Sequence, residues 1–145
     1  MSVLRLASPS PLRRPFDYLP PAGWEESGIA ALQPGVRVRV PFGRRVVTGY
    51  LLEVAGSSEV DPGALKRARE ILDPAPLLTP ALLALCLWSA GYYHHPAGEV
   101  QTAAFPKALR EGGPHRPPGL PGWRLTGRGR GLPRGALARS PRQAA

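Results

Sequence analysis

Residues 36–54 read VRVRVPFGRRVVTGYLLEV, and the fold turns on this stretch. Val36, Val38 and Val40 alternate with Arg37 and Arg39. A period of two in β-branched residues predicts a half-buried strand. Gly43 to Arg45 supply a turn, and VVTGYLLEV at 46–54 returns as a second, antiparallel strand. The result is a hairpin with a basic tip. Upstream, VLRLA at 3–7 reads as a short strand that runs into the Pro-rich SPSPLRRP. Next comes PFDYLPPAG, whose flanking prolines forbid a helix and hold Phe16, Asp17 and Tyr18 extended.

Downstream, residues 24–34 show no sharp period, and GSSEVDPG at 56–63 is a polar loop. ALKRAREILD at 64–73 is ambiguous: its residues favour helix, yet nothing apolar recurs at helical spacing before Ile71. Thr79-Pro80 is an N-cap followed by proline at the first helical position. The run ALLALCLWSAGYY behind it predicts a buried helix of about four turns. His94-His95-Pro96 ends that helix, and a second, shorter one is expected from Pro96 to the stop at Pro106.

Composition limits what this can be. The 145 residues include 17 Gly and 19 Pro, so only part of the chain is expected to fold compactly. One cysteine, Cys86, excludes an internal disulfide and a Cys-rich zinc site, and fits a reducing, cytoplasmic setting. No apolar run reaches the roughly 18 residues of a membrane span, and the N-terminus lacks a signal-type stretch. The net charge of +9 is unevenly placed. Residues 1–105 hold ten Lys or Arg against nine Asp or Glu, whereas residues 106–145 hold nine against the single Glu111. The second segment therefore reads as a cationic arm, and the first as the folded unit.

Enzyme signatures are missing: there is no phosphate loop, no dinucleotide fingerprint and no nucleophile elbow. GRGRG at 127–131 lacks the strand and the Lys-Ser/Thr that would make it a phosphate cradle, and reads as a flexible basic run. His94 and His95 point about 100° apart on a helix, which suits a helix end better than a metal pair. Cys86 reads as core, and Trp88, Tyr92 and Tyr93 read as core before they read as a platform for bases. Arg37, Arg39, Arg44 and Arg45 either track a phosphate backbone or simply solvate one face of the hairpin. Phe16-Asp17 pairs an aromatic ring with a carboxylate on a rigid step, a combination that suits the base and hydroxyl of a nucleotide.

The strings LRRPFDYLPP, GVRVRVPFGRRVVTGYLLEV and ILDPAPLLTPALLALCLWSAGYYHHPAGEVQTAAFP, in this order, resemble the N-terminal DNA-binding domain of the PriA (primosomal protein N′) family of replication-restart helicases. The resemblance covers about residues 3 to 110 and implies an α+β fold. Residues 1–105 would form a small strand-rich, barrel-like domain with a C-terminal helical pair. Residues 106–145 would be a disordered basic tail, made of a linker and the incomplete start of a winged-helix domain near Arg142. The implied function is sequence-independent binding of the 3′ end of the nascent leading strand at an abandoned fork, for primosome assembly. Carried over by position, the pocket for the terminal nucleotide is Phe16, Asp17, Gly43 and Lys66, with Arg37, Arg39, Arg44 and Arg45 on the DNA backbone.

The same resemblance implies further expectations. Lys66 to Leu72 becomes a strand despite its helical composition. The partners are forked DNA with a 3′ hydroxyl, other primosome proteins and single-stranded DNA-binding protein, with no membrane and a cytoplasmic, nucleoid-associated location. The chain itself has no catalytic residue, metal or cofactor; ATP and zinc serve domains that it lacks. The alternative is that the chain stands for a truncated ATP-dependent 3′–5′ DNA helicase, and an RNA-binding barrel is a third option. Residues 22–34 are longer than in many relatives, and SPSPL replaces a more apolar stretch; neither touches the pocket.

Overall fold

The computed structural model describes residues 2–114, 122, 124–133 and 136. Five strands form one antiparallel sheet: β1 (Val3–Ala7), β2 (Phe16–Tyr18), β3 (Arg37–Phe42), β4 (Arg45–Ala55) and β5 (Glu70–Ile71), in the order β2-β1-β4-β3-β5. The expected hairpin is β3–β4, joined through Gly43 and Arg44, with Phe42 opposite Arg45. Gly43 has φ 59°, a left-handed conformation that tight hairpin turns demand and glycine adopts without strain. β4 carries a bulge, since Arg5 pairs with Glu53 but Leu6 pairs with Leu51.

The sheet is open and does not close into a barrel, which corrects the barrel-like expectation. Its two edges approach at one parallel bridge, where Leu19 N–H donates to the Lys66 carbonyl (2.9 Å) and Ala68 N–H to the Leu19 carbonyl (2.8 Å). The Tyr18 hydroxyl reaches the Pro41 carbonyl at 3.3 Å across the same seam. Residues 66–72 are extended, as the family resemblance implies, but only Glu70–Ile71 joins the ladder. Backbone donors at Arg69 and Leu72 find the carbonyls of Arg39 and Arg37, so pairing with β3 overrides helical propensity.

Alternation then sorts the side chains. Leu4, Leu6, Val38, Val40 and Leu51 are fully buried in the main core together with Ile29 of α1 (Glu26–Ala30). Each such residue contributes about 1.5–3 kcal/mol relative to exposure. A second core forms where Tyr50 stacks on Phe105 at 5.1 Å, with Leu78 and Leu83 around them. Helices α2 (Pro80–Tyr92) and α3 (Ala97–Ala103) lie on this side. Thr79 caps α2, accepting from Leu82 N–H at 3.3 Å. His94 ends it in the left-handed region at φ 51°, while His95 N–H returns to the Ala90 carbonyl. Both imidazoles are exposed. α3 starts so close to β1 that a Cβ on Gly98 would collide with the Ser8 backbone.

Two sequence expectations need correction here. α2 is not a buried helix: only Leu83, Cys86 and Ala90 are buried, and Leu82, Leu85, Trp88 and Tyr92 stand exposed. A helix that is apolar all round shows no stripe from which to read its inner face. Packing also runs past residue 105, because α4 (Lys107–Arg110) and Gly113 are tied to β3 by Arg37. Of the tail expected to be disordered, residues 115–121, 123, 134–135 and 137–145 lie outside the described residues, which include one further helical turn, α5 (Gly127–Arg130), capped by Thr126. The expected start of a winged-helix domain near Arg142 lies outside them too.

Candidate nucleic-acid interface

At the seam between the sheet edges, β2 and the β3–β4 tip enclose a cleft of about 600 Å³. Phe16, Asp17, Gly43 and Lys66 all line it. Chain order scatters these four over fifty positions, and the antiparallel register brings them to one place. Phe16 and Phe42 meet edge to face at 5.0 Å, and the Arg14 guanidinium sits over the Phe16 ring at 5.7 Å. A Cβ on Gly43 would touch nothing within 4 Å, so conformation rather than crowding selects glycine there. Lys66 is exposed and lines the cleft.

Asp17 is the most constrained group in the cleft. Arg5 stands directly between Asp17 and Glu53 in the strand register, which makes a three-residue row across β2, β1 and β4. Its guanidinium holds Asp17 through two bonds, at 3.0 and 3.2 Å, and Glu53 through a third at 2.5 Å. The Ser58 hydroxyl donates to Asp17 Oδ2 at 2.6 Å from the 56–63 loop. Burial pushes the Asp17 carboxyl up, but the hydrogen bonds from Arg5 and Ser58 and the Arg5 charge outweigh it, leaving the pKa below the ordinary aspartate value. Asp17 and Glu53 in turn raise the pKa of Arg5. Asp17 is therefore an ionised acceptor, aligned on both sides. Sequence reading missed Arg5 and Ser58; the alternation in VLRLA placed Arg5 on a strand without revealing its neighbours.

The four arginines of the hairpin part company. Arg44 and Arg45 stand exposed at the tip. Arg39 is partly open on the face of the hairpin opposite Val38 and Val40. Arg37 does not belong with them: it is 1% exposed and sealed against Asp73 at 2.7 Å, so its reading as a DNA backbone contact is corrected. The reading of Trp88, Tyr92 and Tyr93 as core is corrected too. These rings are 58%, 65% and 68% exposed, and they pack on one another with centroids 5.0 and 4.9 Å apart. Cys86 faces inward, and burial pushes its thiol pKa up. Among the described residues, no group of three His, Cys, Asp or Glu is arranged to hold a metal, and no helix is long and apolar enough to cross a membrane.

The cleft thus brings together a hydrogen-bonded carboxylate, the rings of Phe16 and Phe42, and the cationic side chains of Arg14 and Lys66. The family profile described as the 3′ DNA-binding domain of PriA matches residues 5–106, and so spans every residue of this cleft. The chain belongs to the PriA 3′ DNA-binding domain family. It is similar to the replication restart protein PriA of Haemophilus influenzae, at 36% identity over 145 residues, covering 99% of this chain and 19% of the relative. The probable replication restart protein PriA of Mycobacterium tuberculosis is 39% identical over 129 residues, covering 82% of this chain and 19% of the relative. The PriA of Bacillus subtilis is 35% identical over 75 residues, covering 52% of this chain and 9% of the relative. The chain thus spans about a fifth of the length of the first two PriA relatives.

Proposed function

We propose that this PriA-family chain binds the 3′ end of a DNA strand at a replication fork, without regard to sequence, and seats the terminal nucleotide in the cleft at the sheet seam. The observation that supports this most directly is the convergence of Phe16, Asp17, Gly43 and Lys66 on one open cleft. Asp17 accepts a hydrogen bond from the terminal 3′ hydroxyl, for which an ionised carboxylate is the natural acceptor. Phe16 packs against the sugar or base, and the open space before Gly43 admits the nucleotide close to the backbone. Lys66, which lines the cleft, pairs with the neighbouring phosphate, and Arg44 and Arg45 at the tip follow the strand outward. None of these contacts reads a base edge, so recognition is independent of sequence.

A terminal phosphate fits less well at Asp17 itself, because it sets an anion against the carboxylate and offers no hydroxyl proton to it, although Arg5, Arg14 and Lys66 also line the cleft. Arg5 offsets part of the Asp17 charge, so the discrimination rests chiefly on hydrogen-bond chemistry. The binding step draws on no cofactor. Within longer family members the chain serves replication restart in the cytoplasm, and ATP-driven unwinding belongs to parts outside the matched segment. Primosome proteins and single-stranded DNA-binding protein are the partners of that larger assembly.

The test is fluorescence anisotropy with two forked DNAs that differ only in a 3′ hydroxyl or 3′ phosphate on the leading strand. The hydroxyl end is expected to bind several-fold tighter, with Asp17→Ala erasing the difference. Equal binding of the two ends by the unaltered chain would remove the end-reading function.

A further inference from the structure

The face of the hairpin that carries Arg37, Arg39, Tyr50, Thr48 and Val46 is covered only in part. Phe105 stacks on Tyr50, and the carbonyls of Leu109 and Gly113 accept from Arg37 at 2.5 and 3.0 Å, sealing its inner end. Toward the tip the cover stops. There a second cleft, of about 410 Å³, opens between β3–β4 and the end of α4, lined by Pro9, Arg39, Val46, Thr48 and Arg110 with Glu111 at its margin. It lies across the hairpin from Phe42, which lines the first cleft. The strand pairing sets Arg39 opposite Thr48.

Arg39 is held in place rather than loose. Its guanidinium donates to the Glu111 carbonyl at 3.4 Å, and a Cβ on Gly112, which has φ 85°, would run into it. Yet its charge is poorly matched: the carboxylate of Glu70, itself more than half exposed, is 3.7 Å away, a solvated pair worth little. Arg110 is exposed and forms no ion pair among the described residues. The carboxylate of Glu111 turns to Lys107 instead, at 3.7 Å. Two guanidiniums from independent elements thus face one cleft without a carboxylate that matches both. Planar forks of donors suit the paired oxygens of a phosphodiester.

We propose that this cleft is a second DNA site, in which Arg39 and Arg110 clamp a backbone phosphodiester away from the bound 3′ end. The proposal rests on the reading of the chain as a DNA binder but not on end recognition by Asp17. The two sites have separable signatures: the first discriminates between ends, whereas the second adds affinity and salt dependence alike to every DNA.

The experiment compares the full chain with Arg110→Gln, Arg39→Gln and the double variant on the hydroxyl-ended and phosphate-ended forks, across a salt series. The double variant is expected to weaken both forks by the same factor, about tenfold, as befits one lost charge-assisted contact. Its salt slope should fall by about 0.9, the share of one phosphate. Arg110→Glu, on an exposed side chain, should weaken binding further at an unchanged urea midpoint, which excludes misfolding as the cause. Unchanged affinity and slope in folded variants would overturn the proposal, and so would a loss confined to one kind of end. If the unaltered chain shows no preference between ends, the end-reading function falls, while the salt slope still decides the second cleft.

Discussion

Two aspartate–arginine pairs brace this sheet, and they are built to opposite specifications. Arg37 and Asp73 are 1% and 0% exposed; the carboxylate accepts from Arg37 Nε, Nη2 and its backbone N–H, and the guanidinium spends its remaining reach on the carbonyls of Leu109 and Gly113. Arg5 and Asp17 form the same fork at similar distances, but on the wall of an open cleft, with Arg5 30% exposed. One pair is buried, with four hydrogen bonds from the Arg37 guanidinium to protein acceptors, so it holds the fold. The other sets a carboxylate that is 9% exposed, and already accepts from Arg5 and Ser58, on the wall of an open cleft. Each carboxylate accepts three hydrogen bonds, so burial, rather than residue type or hydrogen-bond count, separates the two pairs.

Breaking the sealed pair has the largest effect. Asp73→Ala leaves the Arg37 guanidinium buried without its counter-charge and is expected to cost about 3–5 kcal/mol, read as a fall in the urea midpoint. DNA binding should then fail only to the extent that the chain unfolds. A smaller and different outcome belongs to the open pair. Asp17→Ala is expected to abolish the preference for a 3′ hydroxyl in anisotropy, while lowering the urea midpoint far less than Asp73→Ala. If the two variants destabilise equally, the distinction between the pairs collapses.

Acid sharpens the contrast further. The Asp17 pKa is depressed in the folded state, so its stabilising contribution is complete above the ordinary aspartate value of 3.8 and is lost as pH falls through the lower folded value. The stability gap between the unaltered chain and Asp17→Asn should stay flat from about pH 8 to 5 and close only in stronger acid, as measured by urea unfolding at each pH. Ser58→Ala should raise the Asp17 pKa toward the ordinary value, seen in an NMR titration of its carboxyl carbon. The smallest effect is expected at Trp88→Ser on the outer face of α2. That ring is 58% exposed, and its loss should shift stability by no more than about 0.5 kcal/mol.

Much of this was legible beforehand, for local reasons. VRVRVPFG announces a strand because its period of two matches the pleat, and Gly43 announces the tight turn that φ 59° confirms. Thr79-Pro80 announces a helix start because capping chemistry is complete within four residues. Phe16, Asp17, Gly43 and Lys66 entered through the family resemblance, and the register places all four in one cleft. What failed did so at longer range. Alternation put Arg37 and Arg39 on one face, but it could not show that α4 would close over the first and stop short of the second. Residues 66–72 carry helix-favouring side chains and are extended, because β3 offered their backbone donors better-placed acceptors.

The sequence by itself determined the hairpin, the capped helix, the rigid Phe16-Asp17 step and membership of a DNA-binding family, since each is written in neighbouring residues. Only the tertiary structure decided which arginine is sealed, which aspartate faces a cleft, that the sheet stays open, and that the outer face of α2 is bare. Those outcomes depend on what packs against an element, and one strand or helix does not encode its own cover.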